Sequence, residues 1–422
     1  MHQRTTRSKL AVILAALLLL LSLPMTAFAA DATTTATAAA SAKIVAIGDD
    51  LTLGVEPDTD LTVAAPYGFV DRVYEQALYR GRATVANYGL EGLNSAGLNA
   101  LLTTVVAGKD AKGSEIQSDL TDVRKDNALP IAQMKKDLQA ATHITLTIGI
   151  NDIGADIVEK YRSFETDEQL KAYAADRLQK YTDNLKAALT TLYTLNPTAK
   201  VYVADLYSPI PNISLFATVY AKIKPIQDNM TATLQTIVKA YADQKMSIQL
   251  VPVSAAFVGN EGLYTNISIL SILPTQPGYA AMSEVFAKSL FGDNKTVVRV
   301  PDLISVVVGG KSVDTPHLPL LIDGTTFVVL REYTESLGAT IDWVDTTKTA
   351  IIRLNGNVVE LTIGSMEMKI NGVVKPIPDS AYARLHHSNG EDKTYIPLRL
   401  MAEGLGLDVQ YVKGSHSAYI NL

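Results

Sequence analysis

Lys43-Ile44-Val45-Ala46-Ile47-Gly48-Asp49-Asp50-Leu51-Thr52-Leu53-Gly54 decides the fold. A short apolar run stops at Gly-Asp-Asp and passes at once into a second apolar run. That is the pattern of a buried strand opening into a tight turn or a short helix. Similar short runs follow at Ala83–Ala86, Ile144–Ile148, Lys200–Leu206 and Ser247–Val253. Longer amphipathic stretches separate them. The clearest places Leu170, Tyr173, Ala174, Leu178, Tyr181, Leu185, Leu189 and Leu192 mostly three or four apart, with Pro197 beyond its end. A second spans about 216 to 244, where Pro225 is expected to kink it. A third runs from Gly278 to Leu290. Five strands alternating with helices predict a parallel sheet covered on both faces, with any site beyond the carboxyl ends of the strands.

Those ends carry the informative residues. Asn87-Tyr88-Gly89-Leu90-Glu91-Gly92 follows the second strand, Ile148-Gly149-Ile150-Asn151-Asp152 the third, and Leu273-Pro274-Thr275-Gln276-Pro277-Gly278-Tyr279 opens the last helix. With Gly48-Asp49-Asp50-Leu51, these four blocks resemble, in order, those of the SGNH (GDSL) hydrolase family over residues 43 to 292. The resemblance implies a flavodoxin-like three-layer α/β/α domain. It also implies that the nucleophilic serine position is Asp50. Gly89 and Asn151 would be the retained oxyanion donors. The Asp-x-x-His-Pro block would place Leu270 at the aspartate and Leu273 at the histidine, with Pro274 holding the register.

All three positions of the implied triad are therefore replaced. Acyl transfer needs an activated hydroxyl, a base for its proton and a group to orient that base. The single histidine between residues 43 and 292 is His143, expected at the opposite edge of the sheet, about a strand length of 15 Å away. Asp50 invites three readings: an N-cap accepting backbone N–H bonds, part of a cation site with Asp49 and Asp152, or a nucleophile. The first is preferred, and no cofactor is expected.

Beyond Phe291 a linker (293–302) precedes an internal repeat within 303–422. Thr326-Phe327-Val328-Val329-Leu330-Arg331, Glu335-Ser336-Leu337-Gly338 and Ile341-Asp342-Trp343-Val344 recur as Thr394-Tyr395-Ile396-Pro397-Leu398-Arg399, Glu403-Gly404-Leu405-Gly406 and Val409-Gln410-Tyr411-Val412. The offset is a constant 68 residues, from Arg331 to Arg399 and from Gly338 to Gly406. This predicts a smaller α+β domain of two β–helix–β repeats, each helix ended by glycine at C′. Asp323-Gly324, Asn355-Gly356, Asn371-Gly372 and Asn389-Gly390 are expected hairpin turns. The repeat resembles the copper amine oxidase N-terminal-like domain, which implies an attachment module without catalytic copper. Arg331 and Arg399 are expected to pair with Glu335 and Glu403 at i+4. His386 and His387, adjacent in sequence, would point to opposite faces of a strand.

Arg4, Arg7 and Lys9 precede an apolar run from Leu10 to Leu23, then Pro24 and Ala27-Phe28-Ala29. The run, about 14 residues, is short of the roughly 20 that span a bilayer. Residues 1–29 therefore read as a secretory signal peptide and 30–42 as an Ala/Thr-rich spacer. No membrane-spanning segment is expected after cleavage. The 422 residues contain no cysteine, so disulfides and thiolate metal sites are excluded. A net charge of −6 without a basic run argues against nucleic acid. The expectation is a secreted, extracellular or cell-surface pseudo-hydrolase whose partner is cell-wall or extracellular carbohydrate, or an acylated ligand. The alternative is a secreted esterase or lipase-like enzyme working by an unrecognised mechanism.

Overall fold

The computed structural model describes residues 41–63, 65–154, 162–296, 299, 303–378 and 380–422. The expected signal peptide, most of the expected spacer and part of the expected linker lie outside the described residues.

Strands β1 (Ala42–Gly48), β2 (Ala83–Gly89), β3 (His143–Thr147), β4 (Lys200–Ala204) and β5 (Ile248–Val251) form one sheet in the order β2-β1-β3-β4-β5. Every neighbouring pair is parallel. The register sets Gly48 beside both Gly89 and Thr147. Three stretches distant in sequence thus end level at one edge.

Side chains alternate across the strand, and β1 shows both destinations. Val45 and Ile47 join the core beneath α3 (Ser95–Ala107), α4 (Ile131–Ala140), α5 (Asp167–Leu195) and α6 (Ala217–Asp243). Ile44 and Ala46 face α2 (Phe69–Leu78) and α7 (Gln276–Phe291), where Phe69 stacks on Phe286 at 4.5 Å. A four-residue helix, α1 (Asp50–Leu53), precedes α2. In α5 the expected stripe of Leu170, Ala174, Tyr181, Leu185, Leu189 and Leu192 is buried. Pro225 lies inside α6 without ending it.

The C-terminal region has its own core, built around Val328, Ile352, Leu361, Ile396 and Met401. Each repeat supplies a strand and a helix: β9 (Thr325–Val329) with α8 (Leu330–Ser336), and β16 (Glu391–Pro397) with α9 (Leu398–Gly404). In the antiparallel β9–β16 pair, Val328 meets Ile396. These residues are equivalent in the repeat, so a local two-fold axis passes between them. Gly338 and Gly406 take φ of 72° and 78°, as glycine past a helix end does. All four expected hairpin turns have both residues at positive φ, the twist that suits a two-residue connection. After the helices the copies diverge. β10 (Thr340–Val344) and β11 (Thr349–Leu354) continue into a five-stranded antiparallel sheet. β17 (Asp408–Val412) and β18 (Ser417–Asn421) instead join β6 (Ser305–Val308).

This last sheet rests on α2. Val307, Val412 and Tyr419 belong to the same core cluster as Phe69 and Phe286. Asn421 Nδ2 donates to Leu78 O at 2.9 Å, and Arg82 donates to Leu422 O and Gly406 O. At the centre the buried Glu75 carboxylate accepts from Tyr67 Oη (2.6 Å), Tyr419 Oη (3.0 Å) and Arg299 Nη2 (2.7 Å). The repeat region thus shares a second core with the α/β domain. Glu75→Ala is expected to cost about 2–4 kcal/mol in urea unfolding, because two hydroxyls and a guanidinium lose their buried acceptor. Removing the exposed Lys180–Asp176 pair should cost under about 1 kcal/mol. Equal, small effects would show that Glu75 does not hold the joint.

Candidate functional site

The site lies where β1, β2 and β3 end together. Asp49, fully buried, caps α1: its Oδ1 accepts from Leu51 N at 3.2 Å and from Thr147 Oγ1 at 2.8 Å. Its Oδ2 has no hydrogen-bond partner. Burial, reinforced by the neighbouring Asp50 carboxylate, pushes its pKa up to about 7. The expected cap is thus displaced by one residue, since Asp50 is the first residue of the helix and not its cap.

Asp50 turns its carboxylate across the strand ends. Oδ2 accepts from Asn151 Nδ2 at 2.6 Å and from Gly92 N at 3.2 Å. Burial raises the Asp50 pKa, opposed by hydrogen bonds from Asn151, its own backbone N–H and Gly92. Asn151 is the second residue of a π-helical turn (Ile150–Gly154) that starts two residues beyond β3, and it also donates to Leu93 O at 3.0 Å. Its amide thus faces the Asp50 carboxylate.

Gly89 does not take the expected donor role. Its N–H donates to Asn87 Oδ1 at 2.9 Å. Glycine is required here because a Cβ would lie 2.4 Å from Leu53 N. The donor aimed at Asp50 is Gly92, held at φ 81° with its carbonyl accepting from Gln117 Nε2. Block two contains two glycines, and nothing in its spacing distinguishes the packing glycine from the donor.

Asp152 faces elsewhere. It accepts from Ser95 N at 2.9 Å and from Ser95 Oγ, at the first residue of α3. Asp49, Asp50 and Asp152 therefore have separate partners. Among the described residues no group of three or more His, Cys, Asp or Glu is placed to hold a metal ion.

The segment at the implied aspartate and histidine positions is aliphatic. Leu270 sits at φ 61° and is 81% exposed. Leu273 is half-buried, its carbonyl accepting from Asn266 N and Nδ2. Tyr207 Oη donates to Ile272 O at 2.7 Å, and Tyr279 Oη to Val55 O at 2.6 Å. Burial and the Asp49 and Asp50 carboxylates raise both phenols well above their ordinary pKa, so neither is a base. Asn266 and Tyr207, which sequence reasoning missed, fix this loop without supplying proton-transfer chemistry. His143 begins β3, at the opposite edge of the sheet, hydrogen-bonded to Thr142 Oγ1. Burial and then Lys200 lower its pKa.

In the repeat region Arg331–Glu335 and Arg399–Glu403 form the expected i+4 pairs, at 4.0 and 3.3 Å. His387 pairs with Asp392, while His386 meets the Tyr395 ring edge-on. The adjacent histidines therefore do not converge.

Comparison with known proteins separates the same two regions. The family model for GDSL-like lipase/acylhydrolase matches residues 44–286, more than half of the chain. That for the copper amine oxidase N-terminal domain matches 307–420. No curated protein matches the chain. Similar solved structures include a lipase from a goat rumen metagenome, at 20% identity and TM-score 0.42, covering 60% of this chain and 100% of that one. Another is a family 3 carbohydrate esterase from Clostridium thermocellum, at 14% identity and TM-score 0.35, with 59% and 94% covered.

Proposed function

Because the chain belongs to the GDSL-like lipase/acylhydrolase family, we propose that it is a member without ester-hydrolysing activity, acting as a secreted binding protein of the cell envelope. One observation carries the reading. The Asp50 carboxylate accepts from both Gly92 N and Asn151 Nδ2, the two donors facing the nucleophile position. In acyl transfer such donors stabilise the negative oxygen of the tetrahedral intermediate. Here a side-chain oxygen of the protein already occupies them.

The remaining requirements fail independently. Asp50 brings no hydroxyl, Leu273 accepts no proton, and Leu270 orients nothing. His143, the single histidine of the domain, lies at the far edge. The scaffold nevertheless keeps its sheet, its turn and its donors, which suits recognition of an acylated or carbohydrate ligand without turnover. The C-terminal repeats, docked on α2, serve attachment in this reading, and the basic–apolar–Ala-x-Ala start of the chain directs export.

The occupied cradle has a direct test at pH 8, with acetate as the probe. Asp50→Ala vacates the donors and should gain thermal stability as acetate is raised, by the linkage of binding to folding. The parent should not respond, and Asn151→Leu added to Asp50→Ala should abolish the gain. An identical acetate response in parent and Asp50→Ala would contradict the reading.

A further inference from the structure

A second cleft lies away from Asp50, between α2 and α7, and is bounded by Asn294, Lys295 and Arg299. It encloses about 510 Å³, within the range of small-molecule sites. Most of its charges are already compensated. Arg299 bonds Glu75 at 2.7 Å, Lys295 bonds Asp293 at 2.6 Å, and Glu284 bonds Lys288 at 2.6 Å. Arg72 is the exception among the lining cations, with no ion pair among the described residues. Its Nη2 donates to Gln276 Oε1 at 2.8 Å, and its guanidinium lies 4.3 Å over the Tyr67 ring. Its Nε is buried without a hydrogen-bond partner.

A guanidinium fixed over an aromatic ring and by one hydrogen bond is a preorganised cation, which attracts a carboxylate or phosphate. The rest of the wall decides between these. Glu284 also lines the cleft and, paired only with an exposed lysine, disfavours a doubly charged ligand. The Asn294 side chain has no hydrogen bond among the described residues, and Glu284 retains acceptor capacity, so both suit hydroxyl groups. Tyr264 adds an aromatic wall. We propose that this cleft binds a sugar acid, a monosaccharide-sized polyol carrying one carboxylate, with Arg72 receiving the carboxylate. The assignment stands apart from the Asp50 site and from any reading of its activity.

Calorimetric titration of the full chain with glucuronate, glucose and inorganic phosphate tests the proposal. Glucuronate should bind saturably, at least about tenfold more tightly than either glucose or phosphate. Arg72→Gln removes the cation, and Ala281→Trp fills the cleft from α7 without changing Arg72. Each should weaken glucuronate by about tenfold or more. No saturation by roughly 10 mM glucuronate would overturn the proposal. So would equal or tighter binding of glucose or phosphate, or unchanged affinity in either cleft variant once it is shown to melt cooperatively.

Discussion

The triple variant Asp50→Ser, Leu270→Asp, Leu273→His should hydrolyse p-nitrophenyl acetate at least about a hundredfold faster than the parent, and should take up a serine-reactive fluorophosphonate. The change to serine removes the carboxylate from Gly92 N and Asn151 Nδ2 and leaves a hydroxyl in its place. Histidine at 273 enters a half-buried segment already held by Asn266 and Tyr207. Aspartate at 270 tolerates the positive φ that leucine adopts there, because its short polar side chain bonds locally. Asp50→Ser alone should remain near background. A serine without its base loses most of the catalysis, and triad members act as a unit and not additively. The exposure of Leu270 makes the orienting carboxylate the weakest of the three parts. Turnover in the triple variant no greater than in Asp50→Ser would mean that residue 273 does not reach residue 50.

The second large effect concerns stability and pH. In the unfolded chain Asp49 releases its proton near its ordinary pKa of 3.8, but in the fold only near about 7. Between those values the folded state holds a proton that the unfolded state has lost. The resulting stabilisation is fully present below the unfolded pKa and disappears as pH rises through the folded one. A shift of this size corresponds to about 4 kcal/mol at most, at 1.36 kcal/mol per pH unit. Asp49→Asn removes the titration. It also fits the site, because Oδ1 accepts both hydrogen bonds and Oδ2 accepts none. Urea unfolding should find Asp49→Asn more stable than the parent by about 2 kcal/mol or more at pH 8, with a smaller gap at pH 5. A variant less stable at both pH values would show that the parent carboxylate is ionised and satisfied in the fold.

The sheet was legible because burial on both faces writes itself as continuous apolar runs, as in Lys43–Ile47. The hairpins of the repeat region were legible for a local reason: Asn-Gly and Asp-Gly meet a backbone requirement that few other pairs satisfy. The site was legible by position but less so by atom. Asp50 and Asn151 sit at strand ends where topology must bring them together. The choice between Gly89 and Gly92 depends on how β2 packs against Leu53 and on where the following turn aims its N–H, which are tertiary facts. The destination of Asp152 was hidden likewise, because its partner Ser95 starts a helix that sequence periodicity did not single out. The docking of the repeats on α2 was not legible at all. Its parts, Glu75, Arg299 and Tyr419, are scattered over most of the chain and look unremarkable singly.

A filled donor cradle and an absent base should leave this family member without ester turnover. Steady-state hydrolysis of p-nitrophenyl butyrate by the unmodified protein tests it most directly, with Asp50→Ala measured beside it. Both should stay near the background of a folded control protein, orders of magnitude below the roughly 1–10³ per second of ordinary enzymes. Turnover of about one per second or faster in the parent, abolished in Asp50→Ala, would contradict it and make Asp50 a working catalytic group.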